Sequence, residues 1–562
     1  MARPAVLIKS LILFVAFVAV ASFQFHTSNG LLKTIAQCPP SQLRMSSLES
    51  LPIEQASSDA PRDDKPASVR RAEEWFENCL AEGLSCTPVA DALAPLKEQG
   101  AALLADLKIP SRRDEPYRYS DLESLYRTKY EAAMAGSGST GDSADALVRE
   151  RALGGGVARG SLLFLPGEAA EEGGRCAGRR LVFVDGVFEA ALSDLADVPA
   201  GVVAGSVAAL SAEQLAAALP ALSFVPELGA DNARLGHENK RTCQGSAPFG
   251  ALNLAALQDA AVLLVPEGVD AGEKPFEVMF IASSEEAEAE GAPARLSSHR
   301  LAVVAGAGAR LALVQHACGL GSRHLANGLA RVEVGAGAAV RHALLQEHPA
   351  APGARQLETV CAEVGEDGRY EFSTVALGGG DARLNVQVEL SGERAHCGLR
   401  GAAFGGQDQN LAMYTTIRHN AEATTTEQVQ RNVLGKNTDV VWKGRIRVEE
   451  VAQQTDADQL CASLMLSDQA RVTAMPSMEI IADQVKCTHG ATVSDMSEEE
   501  LFYFAARGIG RQMARELIVL GFADEAAEEI NCEKFQARLT EKVQSILPPS
   551  ESRTLGAIYQ SI

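Results

Sequence analysis

No CxxC pair occurs in the 562 residues, and no two of the eleven cysteines stand closer than Cys79 and Cys86. That excludes a zinc ribbon and a thioredoxin-type redox pair. An odd, dispersed set in so long a chain reads as reduced thiols, not as a disulfide framework. A G-x-x-x-x-G-K-[ST] loop is also missing. LGKNTD (residues 434–439) fails on spacing, so the chain holds no nucleotide by a P-loop and any ATP hydrolysis comes from a partner. Acid is absent from residues 1–48, which carry Arg3, Lys9, Lys33 and Arg44; without them the net charge of −22 becomes −26. A body that acidic repels phosphate backbones and anionic head groups, which argues against nucleic acid or a membrane surface as its partner. A soluble, self-repelling surface accounts for it.

What is present is globular: 46% hydrophobic and 22% charged residues, in a length that calls for two or three domains. At the N-terminus, Arg3 and Lys9 precede the apolar run Leu11–Val20, then Ala21-Ser22 and Phe23. Charge order and run length make 1–22 a signal peptide, too short for a comfortable membrane span. The stretch 23–60, hydroxylated and acid-free as far as residue 48, reads as a transit segment. Together they form a bipartite leader, and the expected location is the plastid stroma rather than plain secretion, which reduced cysteines disfavour.

Residues 61–255 form an N-terminal helical and mixed region. It contains helical patterns such as VRRAEEWFENCLAEGL, a low-complexity stretch MAGSGSTGDSADA that reads as a flexible loop, and short strands such as RLVFVDGVFEA. From 256 to 488 the texture changes to short β-branched runs separated by glycine turns. Gly306, Gly335, Gly365 and Gly392 recur at intervals of 29, 30 and 27 residues. Short strands at a constant interval without intervening helices predict a β-helical solenoid, whose coils bury their apolar faces only by stacking. A β-sandwich would need many tight hairpin turns, and only Asn327-Gly328 and Asp367-Gly368 qualify. Residues 489–562 return to helix. Ser497 with Glu500 makes a capping box, Gly508 ends that helix, and Phe535, Leu539, Val543 and Ile546 share one face of a later one. A helical cap on the solenoid is the expectation.

Three blocks, AQQTDADQ, MEIIADQVKCTHGAT and EEELFYFAARGI, lie in order between Trp442 and Phe522 and resemble the SufB/SufD family of iron–sulfur cluster assembly proteins. RRDEPYRYSDL, FGALNLA and HNAEATTTEQVQRNVL extend the likeness over roughly residues 110–525. KCTHGAT matches the SufD form; SufB-like proteins tend to carry Glu-His-Glu there. Gln484 stands where the family usually has a second Asp after Asp483, and Cys461 falls about where SufB-like proteins place an essential cysteine. The resemblance implies a mainly β fold, a right-handed parallel β-helix flanked by N- and C-terminal helical regions. It implies a non-enzymatic scaffold that pairs with a SufB-like subunit through the β-helices and docks a SufC-like ATPase on the C-terminal helices. It also implies a transient iron–sulfur cluster shared with the partner.

Such clusters need thiolate, imidazole or carboxylate ligands. Cys487 and His489 are two residues apart and share one face of a strand. His316 and Cys318 have the same spacing; His396 and Cys397 are adjacent and point oppositely. Each pair can equally be core filling, but the family's CxHGAT histidine is implicated in cluster formation, which singles out His489. Cys487 and Cys461 complete the candidate set. Two other readings stay open: a SufB-type paralogue, and a β-helix carbohydrate lyase or hydrolase using carboxylates such as Glu371, Asp381 and Glu389 in an acid-lined groove.

Overall fold

The computed structural model describes residues 66–107, 109–132, 141–151, 178–226, 246–284, 293–406, 408–527 and 533–547. The signal and transit segments expected over 1–22 and 23–60 lie outside them. Sixteen strands make the solenoid. The first eight are Ala261–Val265 (β1), Asp270–Ala282 (β2), Ala294–Ala305 (β3), Arg310–Gly319 (β4), His324–Val334 (β5), Ala339–Glu347 (β6), Ala354–Val364 (β7) and Arg369–Ala376 (β8). The rest are Asp381–Leu390 (β9), His396–Gly405 (β10), Asn410–His419 (β11), Thr425–Leu434 (β12), Asp439–Val448 (β13), Asp456–Met465 (β14), Arg471–Ile480 (β15) and Lys486–Asp495 (β16). Odd strands stack into one sheet and even strands into another, every neighbour parallel. The fold is the expected parallel β-solenoid.

Why the chain coils this way is visible at the turns. The backbone amide of Gly335 donates to Ala305, and that of Gly365 to Val334, so each turn rests on the one before. A Cβ at Gly306 would stand 2.7 Å from the Glu267 nitrogen, and one at Gly392 only 1.9 Å from that of Glu366. The recurrent glycines are therefore demanded by close approach. The left-handed residue follows two positions later, at Gly308, Gly337, Asp367 and Arg394, and continues at Ala423 and Gln454.

Inside, register aligns side chains of successive coils into columns. One runs Leu311, Val340, Tyr370, Cys397, Thr426, Ala457 and Cys487; the next runs Leu313, His342, Phe372, Leu399, Gln428, Gln459 and His489. The early rungs belong to one continuous apolar core with Phe183, Phe276 and Phe280.

Helices Ala67–Ser85 (α1), Ala94–Asp106 (α2) and Leu122–Arg127 (α3) precede the solenoid. A fourth, Gly141–Arg151 (α4), starts inside the stretch expected to be a flexible loop. Ala144 and Val148 bury against Val182, Met279 and Ile281, a tertiary contact that overrides the small, polar composition. Ala212–Ser223 (α5) starts at a Ser211–Gln214 capping box, and Ala247–Ala255 (α6) is buried along its length. After β16 come Glu498–Ala505 (α7), Arg511–Ala527 (α8) and Glu533–Ile546 (α9). Ser497 caps α7 through the Glu499 amide, and Gly508, at φ 80°, follows its end. These helices do not cap the solenoid. Phe535, Leu539, Val543 and Ile546 pack sideways on the outward row Val314, Ala343, Leu345, Val375, Ala402, Phe404 and Val433 of the even sheet. With these helices buried laterally on that long apolar row, the end of the coil is uncovered among the described residues.

Candidate functional site

β15 and β16 are the last strands of their sheets, and neither is paired on its outer edge among the described residues. Every residue of β15 but its two ends is half-buried, and β16 is exposed apart from Cys487 and Gly490. Ile480, Ile481 and Val493, 42–48% exposed, give this end an apolar rim.

His489 is exposed and is the final rung of its column. Behind it the column has turned polar: Gln459 Nε2 donates to Gln428 Oε1 at 2.7 Å, and Gln428 Nε2 to Thr415 Oγ1 at 2.6 Å. Gln459 Oε1 is buried with no partner among the described residues. Cys487 ends the neighbouring column and packs its half-buried side chain on the core. Burial pushes its thiol pKa up, and the Asp456 carboxylate adds to that. The expected shared face of Cys487 and His489 is thus realised on an edge strand. The glutamine ladder behind it was missed; glutamines at Gln428 and Gln459, 31 residues apart on the repeat, are its only trace in the sequence.

Cys461 lies elsewhere. It is fully buried inside the coil beside Trp442 and Met413, and it pairs in register with Ala491. From strand spacing and rise, its Cα stands about 8 Å from that of His489 and farther from that of Cys487. Asn432 Nδ2 donates to its sulfur at 3.6 Å. Burial pushes the thiol up to about 11, against the opposing pull of Ser463 and Asn432. This chain therefore sets two candidate ligands on its open end and one within, fewer than the four thiolate-type ligands an iron–sulfur cluster takes.

The remaining candidates are occupied differently. Cys397 points into the core, while His396 points out to Thr425 Oγ1 and Glu371. Glu371 lies among His396, Arg369 and Arg400, and Glu389 is held by Asn420 and Arg418. These carboxylates are engaged separately by neighbouring cations and an amide rather than paired in an acid-lined groove.

A parallel solenoid whose last strand carries a thiol and an imidazole, and whose final coil is uncovered among the described residues, defines the class: a repeat protein with one open end. Residues 286–522 match the family described as "SUF system FeS cluster assembly, SufBD core domain". It is 26% identical over 474 residues to an iron-sulfur cluster assembly SufBD family protein of Synechocystis, covering 83% of this chain and 93% of the relative. It is 26% identical over 472 residues to Protein ABCI7, chloroplastic, of Arabidopsis thaliana, covering 83% and 89%. Against the iron-sulfur cluster assembly protein SufD of Escherichia coli it is 24% identical over 485 residues, covering 86% and 98%.

Proposed function

We propose that this chain is a SufD-type scaffold subunit that joins a SufB-like solenoid through the open edges of β15 and β16. His489 and Cys487 then offer ligands to a cluster completed by the partner. The observation that carries this reading is the Cys487–His489 pair on a final strand whose outer edge is unpaired among the described residues. Exposed strand edges rimmed by apolar side chains are templates for pairing with another chain. Neutral imidazole suits iron, and a cluster needs more ligands than this end supplies alone. The KCTHGAT form and the burial of Cys461 favour the SufD over the SufB paralogue.

The ATPase partner, a SufC-like subunit, docks on the C-terminal helices. Phe502 of α7, 74% exposed, is the apolar anchor for it. Scaffolding rather than catalysis is the chain's own role, and the cluster is transient cargo. The plastid is its site of action, on the strength of the leader pattern and of a relative named as chloroplastic.

Alanine at His489 removes an exposed ligand and little buried volume. The account expects stability to change by less than about 1 kcal/mol, binding to the SufB-like partner to persist, and cluster assembly to fall sharply. A variant with lowered Tm whose folded fraction still assembles clusters at the normal rate contradicts it.

A further inference from the structure

A second group of metal-type donors lies far from the open end, on the outer face of the even sheet. The β4–β6 register sets Glu347 directly beside Cys318, and His316 sits two residues earlier on the same face. All three are buried, His316 and Cys318 completely. One donor atom from each falls within 4.8 Å of the other two. α4 and α9 cover the group: Arg151 of α4 and Arg538 of α9 both bind Glu347 Oε1, at 3.0 and 2.7 Å. Arg538 also reaches Oε2, at 3.1 Å. Arg151 also pairs with Glu150, at 3.2 Å.

His316 carries the argument. Nδ1 has no hydrogen-bond partner among the described residues and stands 4.0 Å from Glu347 Oε2. That is too long for a hydrogen bond. Donors that share a tetrahedral ion at about 2.0–2.2 Å stand about 3.3–3.6 Å apart, so the Glu347 carboxylate needs to shift by only about half an ångström to share an ion with Nδ1. Nε2 lies 3.0 Å from Glu277 Oε1, at hydrogen-bond distance but outside hydrogen-bond angles. Glu277 is buried in turn, and its Oε2 accepts from Arg180 Nε at 2.8 Å. A carboxylate behind the far nitrogen of a ligand histidine is how metal sites fix the ring tautomer. A buried imidazole nitrogen with no partner is costly, and an ion at Nδ1 removes that cost.

We propose that His316, Cys318 and Glu347 bind one divalent first-row transition-metal ion, of the Zn2+ or Fe2+ type, with Glu277 orienting His316. Mixed nitrogen, sulfur and oxygen donors select these ions over Mg2+ or Ca2+. The ion ties the sheet to α4 before the solenoid and α9 after it, and is separate from the cluster-handling end.

The test uses the full chain, refolded from chelator-treated denaturant with and without one equivalent of Co2+, which stands in for Zn2+ and shows thiolate charge-transfer absorption. The expected result is a stoichiometric cobalt–thiolate band and a raised Tm. The band disappears in Cys318→Ser and persists in the double variant Cys487→Ser/His489→Ala. Glu277→Gln, which keeps every ligand, should weaken Co2+ binding by about 10- to 100-fold. Refolded wild-type chain without the band overturns the proposal, as does a band that survives Cys318→Ser or is lost with Cys487 and His489. Should Cys318→Ser not refold, the Glu277→Gln affinity decides: an unchanged value contradicts the site.

Discussion

The two ends of the solenoid are built from the same repeat and finished in opposite ways. At the first end, Val203–Ser206 pairs antiparallel with β1, and Val187–Phe188 closes the other sheet beyond Arg180–Val184. Ser206 is locked to the buried Asp259 carboxylate at 2.7 Å, and that carboxylate also accepts from the Phe188 amide at 3.1 Å. Arg300, wholly buried on β3, donates to the Leu222 and Phe224 carbonyls at the end of α5. At the last end the described residues supply no such closure: β15 and β16 keep unpaired edges, exposed isoleucines and His489. A repeat fold needs its ends capped for solubility; among the described residues one end is capped and the other is bare, and the proposed pairing assigns the bare end to the partner.

The sharpest way to break the comparison is a single methyl group. Gly392→Ala forces a Cβ to 1.9 Å from the Glu366 nitrogen of the coil below, and overpacking against backbone costs about 1–3 kcal/mol or more. Gly490→Ala on β16 meets only Leu460 Cδ1, at 3.4 Å, and should move stability by no more than about 0.5 kcal/mol. Chemical denaturation of the two variants, in parallel, reads the contrast. Equal losses would mean that the end coil is packed as tightly as the middle.

Acid should attack the middle before the end. Burial holds His324 and His419 down to about 4 and His342 to about 3, against about 6.5 in an unfolded chain. The unfolded chain therefore takes up protons that the folded one refuses. Stability is fully present above about pH 6.5 and declines as pH falls toward 4, approaching about 1.4 kcal/mol per pH unit for each such histidine. Urea midpoints between pH 7.5 and 5 measure the slope. His342→Gln, which removes a ring lying between Tyr370 and Gln315, should make it shallower.

How much of this the sequence revealed depends on which residue solved each local problem. The coil was legible from Gly306 to Gly392 because close backbone approach admits little else. Beyond that, the position two residues before the left-handed one is filled by Ala421 and Ala452, which carry no glycine signal, although left-handed residues continue at Ala423 and Gln454. The shared face of Cys487 and His489 follows from strand alternation alone. That their strand has no outer neighbour depends on where α7–α9 settle, which is decided by packing on Phe404 and Val433. Likewise the spacing of His316 and Cys318 was visible, but Glu347 reaches them only because one coil occupies 29 residues between Cys318 and its register partner.

Smallest in its effect on the isolated chain, and most direct for the central claim, is backbone amide hydrogen exchange with and without the SufB-like partner. In the chain alone, amides at the free edges of Arg471–Ile480 and Lys486–Asp495 should exchange quickly, while those of β3–β8 stay protected. Adding the partner should slow exchange in β15 and β16 and leave the β1–β2 end unchanged. Protection that instead appears at the β1–β2 end, or a stable complex with no added protection in β15 and β16, would contradict the assignment of the open end as the pairing face.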